Sequence, residues 1–266
     1  MDSEAYTTLA LHRRGAGARI ELARPETMNA WNAELGVELL HAITAVARDD
    51  DVRALTITGQ GRGFSSGADL KAGFDPTPDG HPDVRTTLRE RYHPIITTIR
   101  TMPKPVLAAV NGPAVGIGCS LALACDLVVA RRSAYFLLAF VNIGLVPDGG
   151  SSLFVPTRVG HARASEMAML GERIGAEQAL QWGLVNRVWD DAAFEGEVDA
   201  LAQRLADGPT RSYAGTKRAL NAWLFPRIDE QLELEAELQQ QMAASSDFAE
   251  GVAAFAGRRA PVFRGR

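Results

Sequence analysis

Short apolar runs and helical apolar stripes follow one another along this chain, punctuated by glycine and proline. Residues 5–12 and 18–23 read as two short strands, and Arg14-Gly15-Ala16-Gly17 between them reads as the turn of a hairpin. Residues 24–30 contain Pro25 and Asn29, which predict an irregular loop. Asn32 then caps a helix whose apolar positions Leu35, Leu39, Ile43 and Val46 keep the 3.6-residue period. Residues 53–58 (RALTIT) form a buried strand, and the helix-then-strand order implies parallel pairing with both faces covered.

Residues 59–70 (GQGRGFSSGADL) hold too much glycine for a strand or helix through their middle. Residues 73–83 carry three prolines, two glycines and three aspartates, the composition of a mobile surface loop, either a lid or a solvated connection. A helix over 84–101 stops at Met102-Pro103, and a strand over 105–111 leads into NGPAVGIGCSLALACD at 111–126, where Gly112, Gly116 and Gly118 open a short helix. A strand at 127–130 and the apolar cluster Tyr135, Phe136, Leu137 and Phe140 precede a third glycine turn, GLVPDGG at 144–150. Helices follow at 151–159, 161–170 and 176–181, then a strand at 184–188. Beyond 191 the pattern is helical: Phe194, Val198, Leu201 and Leu205 mark one amphipathic helix, 210–223 another and 228–242 a third, acidic one. Asp247 and Glu250 read as a capping box for the last helix. The pattern divides the chain into a core over 1–195 and a helical region over 196–266, with strand-turn-helix units recurring roughly every 40 to 50 residues.

Composition narrows the function. With 46% hydrophobic residues, 23% charged residues and a formal net charge of -4, the chain has no basic excess for nucleic acid. It also has no apolar run approaching the roughly 18 to 20 residues of a membrane span. The first residues lack the pattern of a secretory signal. Cys119 and Cys125 share one short helical run, which argues against a disulfide and for a reducing, cytoplasmic setting. Neither they nor the five histidines have metal-ligand spacing, so no metal is expected.

The turn at Gly116 fits two roles, an anion cradle of free N–H groups or a tight strand-to-helix packing turn. Gly116 and Gly118 lack the third glycine of a dinucleotide fingerprint, and no Gly-Lys-Ser/Thr follows. Ser120 lacks a nucleophile elbow and reads as a small core residue. Asp69 and Asp126 read as turn or cap residues, His81 and His93 as solvated side chains, and Trp223 and Phe263 as helix-packing residues.

Taken in order, the three glycine turns resemble those of the crotonase, or enoyl-CoA hydratase/isomerase, superfamily. The matching residues are Arg24-Pro25 with Asn29-Ala30, Phe64 to Leu70, Lys104-Pro105 running to Asn111-Gly112, Cys125-Asp126, Gly144 to Gly150, Gly183-Leu184-Val185 and the ending at 251–265. The resemblance spans essentially the whole chain. It implies an α/β spiral of repeated β-β-α turns with a helical C-terminal region, assembly as a homotrimer or dimer of trimers, and an acyl-CoA substrate with no separate cofactor. It also implies that the N–H groups of Ala68 and Ile117 hold the thioester oxygen as it becomes an enolate, which agrees with the anion-cradle reading of Gly116. The CoA cleft would take Met28, Ala30, Ser66 and Leu70, with Lys71 as a phosphate contact. Gly116, Leu137 and Phe140 would line the acyl pocket.

Where hydratases resembling this chain carry two glutamates, Ser120 and Phe140 stand here. Neither side chain can exchange a proton with water as a carboxylate would, which argues against simple hydration. A carboxylate does follow Pro147, at Asp148, in the turn where related isomerases, aryl dehalogenases and ring-closing enzymes place a catalytic aspartate. Asp148 is therefore either the proton-transfer group or a cap for the helix after it. If Leu137 and Phe140 line the pocket, desolvation should raise its pKa. The resulting expectation is 3-enoyl-CoA to 2-enoyl-CoA isomerisation, with hydration, hydrolysis, dehalogenation or acyl-CoA binding without turnover as alternatives.

Overall fold

The computed structural model describes residues 6–266. Strands β1 (Leu9–Arg14) and β2 (Gly17–Leu22) form the expected antiparallel hairpin. The strand anticipated at 5–12 begins at Leu9; its residue 5 lies outside the described residues. The loop at 24–30 contains one 3-10 turn, Pro25–Thr27. Helix α1 (Ala33–Arg48) starts where expected, with Asn32 Oδ1 accepting from the Leu35 N–H at 2.9 Å. Its Leu35, Leu39 and Ile43 are fully enclosed, each such burial worth about 1.5–3 kcal/mol.

Strands β3 (Ala54–Gly59), β4 (Val106–Val110), β6 (Leu127–Arg131) and β9 (Arg187–Trp189) extend β2 in parallel, giving the order β1-β2-β3-β4-β6-β9. β3 and β4 are buried at every residue, as a parallel sheet covered on both faces requires. A second layer holds β5 (Ala114–Val115), β7 (Tyr135–Leu137) and β8 (Ile174–Gly175), and Ser65 bridges to Ala114 at its edge. The chain thus repeats a long strand, a short strand in the second layer and a helix. One repeat is β4-β5-α4, where α4 is Ile117–Ala124, and the next is β6-β7-α5, where α5 is Ser151–Leu170. This is the α/β spiral of β-β-α turns.

Several local readings change. The helix anticipated at 84–101 is α2 (Val84–Thr87), a π turn (Leu88–Tyr92) and α3 (His93–Thr101). The π turn carries His93 inward, so it is buried rather than solvated; its Nε2 has no partner among the described residues, and burial lowers its pKa to about 4. The helices anticipated at 151–159 and 161–170 are the two halves of α5, bent at Gly160. The strand anticipated at 184–188 shifts to β9, because the left-handed Gly183 ends α6 (Ala176–Trp182) and the Leu184 and Val185 N–H groups bond back to the Ala179 carbonyl.

Helix α7 (Phe194–Asp207) packs Phe194, Val198, Leu201 and Leu205 against Leu107, Ala109 and Val129 of the sheet. A division at 195/196 would cut this helix, so α7 belongs with the core. The C-terminal region is α8 (Thr210–Leu224), α9 (Ile228–Ala243) and α10 (Ser246–Ala256). Ser245, not Asp247, caps α10; Asp247 accepts from the Arg264 and Gly265 N–H groups, and Glu250 pairs with Arg259. Trp223 is 84% exposed and Phe263 lies 41% exposed in the tail after α10, so neither is a packed helix residue. Asp126 does more than close a turn: its carboxylate meets the buried Lys217 at 2.8 Å and Arg100 at 3.4 Å. Both cysteines are free and buried, their thiols pushed up to about 12. Among the described residues no helix is long and apolar enough to cross a membrane.

Candidate active site

The two inner glycine turns meet at Gly67 and Gly116. Both have positive φ, 92° and 53°, and a Cβ on Gly67 would lie 3.0 Å from the Val115 carbonyl oxygen. Side chains would hold these turns apart; glycine lets them touch. Gly116 is fixed by its own N–H to the Leu137 carbonyl at 2.9 Å, and its carbonyl receives the Cys119 and Ser120 N–H groups. Ile117 is the first residue of α4, so its N–H has no acceptor within the helix. Among the described residues neither the Ala68 nor the Ile117 N–H has a hydrogen-bond partner. The α4 dipole adds positive potential at Ile117.

Ala68 and Ile117 both line a cavity of about 250 Å³. Its walls are chiefly apolar, with Leu70, Val84, Leu88, Leu137 and Phe140 from the core and Phe255 from α10. Ser66, Gly116 and Asp148 also line it, and Asp148 is the only carboxylate among the described residues that do so. The structure therefore brings together Ala68, Ile117, Asp148, Ser66, Leu70, Gly116, Leu137 and Phe140. It does not bring Met28, Ala30 or Lys71 to the cavity. The Met28 carbonyl receives the Ser66 N–H, Ala30 is buried with its carbonyl on Arg24, and Lys71 is exposed. Phe74, from the loop at 73–83, reaches the cavity wall, and that loop carries its own bonds, Thr77 N–H to His81 and Asp83 N–H to Asp75.

Asp148 does not cap α5. Its main-chain carbonyl instead accepts from Ser120 Oγ at 2.8 Å and Ser151 Oγ at 2.8 Å, which pins the turn. Ser120 is thus a fully buried positioning residue rather than a nucleophile. Asp148 is 5% exposed; Oδ2 accepts from Gln239 Nε2 at 2.6 Å and Oδ1 has no partner among the described residues. Burial pushes its pKa up to about 8, the charge of Glu235 adds to the rise and the Gln239 bond opposes it. A carboxylate so placed is a strong base at mildly alkaline pH.

Gln239 and Glu235 come from α9 and carry no signal in the sequence. They sit four residues apart on one helix face, as do many exposed pairs in the same acidic helix. Glu235 is 2% exposed and takes over the capping of α5, accepting from the Gly150 N–H at 2.7 Å and the Ser152 N–H at 3.1 Å. Burial raises its pKa to about 7 despite these bonds. Because the Gln239 bond lowers the Asp148 pKa, Gln239→Leu should move the rising limb of the kcat/KM–pH profile above its wild-type position near 8. A limb that stays in place would remove Gln239 from the tuning of this carboxyl.

Residues 13–266 match the protein family described as enoyl-CoA hydratase/isomerase. The chain is 41% identical over 248 residues to 1,2-epoxyphenylacetyl-CoA isomerase of Escherichia coli K12, covering 93% of this chain and 94% of that one. It is 44% identical over 262 residues to a probable enoyl-CoA hydratase of Rhodobacter capsulatus, covering 98% and 100%. The crystal structure of an enoyl-CoA hydratase from Mycobacterium avium subsp. paratuberculosis K-10 superposes with a TM-score of 0.89 at 38% identity, covering 98% of this chain and 100% of that one. With paired glycine turns, a spiral core and these relatives, the chain belongs to the enoyl-CoA hydratase/isomerase, or crotonase, family of acyl-CoA enzymes.

Proposed function

We propose that this protein catalyses an allylic 1,3-proton shift that converts a 3-enoyl-CoA into the conjugated 2-enoyl-CoA. The observation that carries the reading is Asp148, the one carboxylate among the described residues lining the cavity, which shares that wall with Ala68 and Ile117, whose N–H groups have no partner among the described residues. Asp148 removes a proton from C2, the C2–H electron pair enters the thioester and the double bond shifts. The Ala68 and Ile117 N–H groups hold the dienolate oxygen, where one such donor contributes roughly 100- to 1,000-fold in rate. The same carboxyl group then returns the proton at C4. Nothing is added or lost, so one carboxylate suffices, whereas hydration needs one group to take a proton from the water attacking C3 and another to deliver a proton to C2. At the positions where hydratases would carry those groups stand the buried Ser120, bonded to the Asp148 carbonyl, and the ring of Phe140.

The name of the E. coli relative, an isomerase of an epoxyphenylacetyl thioester, supports isomerisation and a setting in phenylacetate degradation. Assembly as a homotrimer or dimer of trimers is part of the same reading, supported by large apolar side chains exposed on the C-terminal helices, Trp223 at 84% and Phe255 at 60%. CoA enters as part of the substrate, and the protein acts in the cytoplasm. The test is to incubate the enzyme separately with a 3-enoyl-CoA and a 2-enoyl-CoA and separate the products by chromatography. Conversion of the first to the conjugated thioester, with no 3-hydroxyacyl-CoA from the second, is the expected result. Hydration of the 2-enoyl-CoA at a rate equal to or above isomerisation would overturn it.

A further inference from the structure

Tyr92 has a place in this site that proton transfer does not use. It ends the π turn Leu88–Tyr92, inside a helical run that would otherwise be regular. In an uninterrupted α-helix, residues eight apart are offset by about 80°. The wider π turn winds part of that offset back, and Val84, Leu88 and Tyr92 all reach the cavity wall. The ring stands edge-on to Trp31, with centroids 5.0 Å apart and planes at 84°, and the residue is 6% exposed. It lines a second chamber as well, about 160 Å³, which shares Ala68 and Phe74 with the first and adds Asn32, Thr87 and Arg91.

The other polar side chains in the acyl cavity wall have partners. Ser66 Oγ donates to the Thr27 carbonyl, Asn142 Nδ2 to the Gly171 carbonyl and Gln239 Nε2 to Asp148. The Tyr92 hydroxyl has no hydrogen-bond partner among the described residues, and unlike Trp31 Nε1 or Gln239 Oε1 it is not sealed from water. A purely hydrocarbon acyl group would strip water from this hydroxyl and give nothing in return, a penalty that sites of this kind convert into discrimination.

We infer that the Tyr92 hydroxyl donates a hydrogen bond to an oxygen atom carried on the acyl group beyond C4, where the two chambers meet, so that the enzyme prefers oxygen-bearing acyl-CoA thioesters to straight hydrocarbon ones. Tyr92 is then a specificity residue of the same site; the inference rests on the isomerase reading for its substrate but not for its test. The test uses CoA thioesters of equal chain length, with C6, C7 or C8 either a methylene or an ether oxygen. Saturated members are measured for binding by calorimetry, and 3-enoyl members for kcat/KM, with wild type and Tyr92→Phe.

At least one oxygen-bearing saturated thioester should bind wild type about 10- to 100-fold more tightly than its hydrocarbon counterpart. Tyr92→Phe should erase that ratio while binding the hydrocarbon as well as wild type does or better. Equal affinities across the wild-type series, or a preference that survives in Tyr92→Phe, would overturn the inference. So would a Tyr92→Phe variant that loses turnover of both thioester classes equally with a shifted pH limb, since Tyr92 would then act through Asp148. Absence of isomerisation with the binding preference intact would count against the reaction alone.

Discussion

Asp148→Asn should lower kcat for the proposed conversion of a 3-enoyl-CoA by about 100- to 10,000-fold, the range that loss of a general acid–base group produces. The substitution is close to isosteric, and asparagine Oδ1 can still accept the Gln239 Nε2–H that Asp148 Oδ2 now receives at 2.6 Å. The loop stays pinned, because Ser120 and Ser151 bond to the main-chain carbonyl rather than the carboxylate. The proposed oxyanion donors are main-chain N–H groups, of Ala68 and Ile117, and are untouched by the substitution. Substrate affinity should therefore hold while proton transfer fails. Single-turnover kinetics with substrate affinity measured in parallel separates the two; a variant retaining more than a tenth of wild-type kcat would move the base elsewhere.

The same substitution stabilises the fold, increasingly so as pH rises. Burial pushes the Asp148 carboxyl in the folded protein up to about 8, from an ordinary 3.8. Between those values the unfolded chain has released a proton that the folded chain keeps. Stability therefore falls as pH rises through this window, by up to about 1.4 kcal/mol per pH unit. Asparagine carries no such proton. The variant should match wild type near pH 4 and exceed it near pH 8, by up to about 5 kcal/mol as an upper bound. Glu235, at about 7, tilts both proteins in the same direction and cancels in the comparison. Denaturant melts of the two proteins at pH 5 and pH 8 measure the gap. A gap that is constant, or that narrows with pH, would contradict the buried proton.

The spiral was legible because its signals are local and periodic. The Asn32 cap, the apolar stripe of α1 and the all-apolar strands β3 and β4 each follow from a few neighbouring residues. Ala68, Ile117 and Asp148 came from the resemblance of the three glycine turns to those of the family, and all three line the one cavity. What escaped depends on contacts between distant segments. Glu235 and Gln239 look like their exposed neighbours Glu233 and Glu237, and only docking of α9 on the start of α5 buries them. The π turn has no marker in residues 88–92, so neither the inward turn of His93 nor the placement of Tyr92 could be read. The closing of the loop at 24–30 on itself, with the Met28 and Ala30 carbonyls accepting from Ser66 and Arg24, likewise joins segments about 40 residues or a single turn apart and has no marker in either alone.

The pairing of Asp148 with Gln239 spans 91 residues, and the Glu235 bond to the Gly150 N–H spans 85. As the chain emerges from the ribosome, the strands and glycine turns are complete well before α9 exists. Until α9 docks, Asp148 lacks the Gln239 bond and the Glu235 charge that tune its pKa. The nascent core can therefore collect its sheet without that charge beside the carboxyl. The tuning of the carboxyl is then among the last things the chain acquires, supplied by a helix that docks on a scaffold already in place.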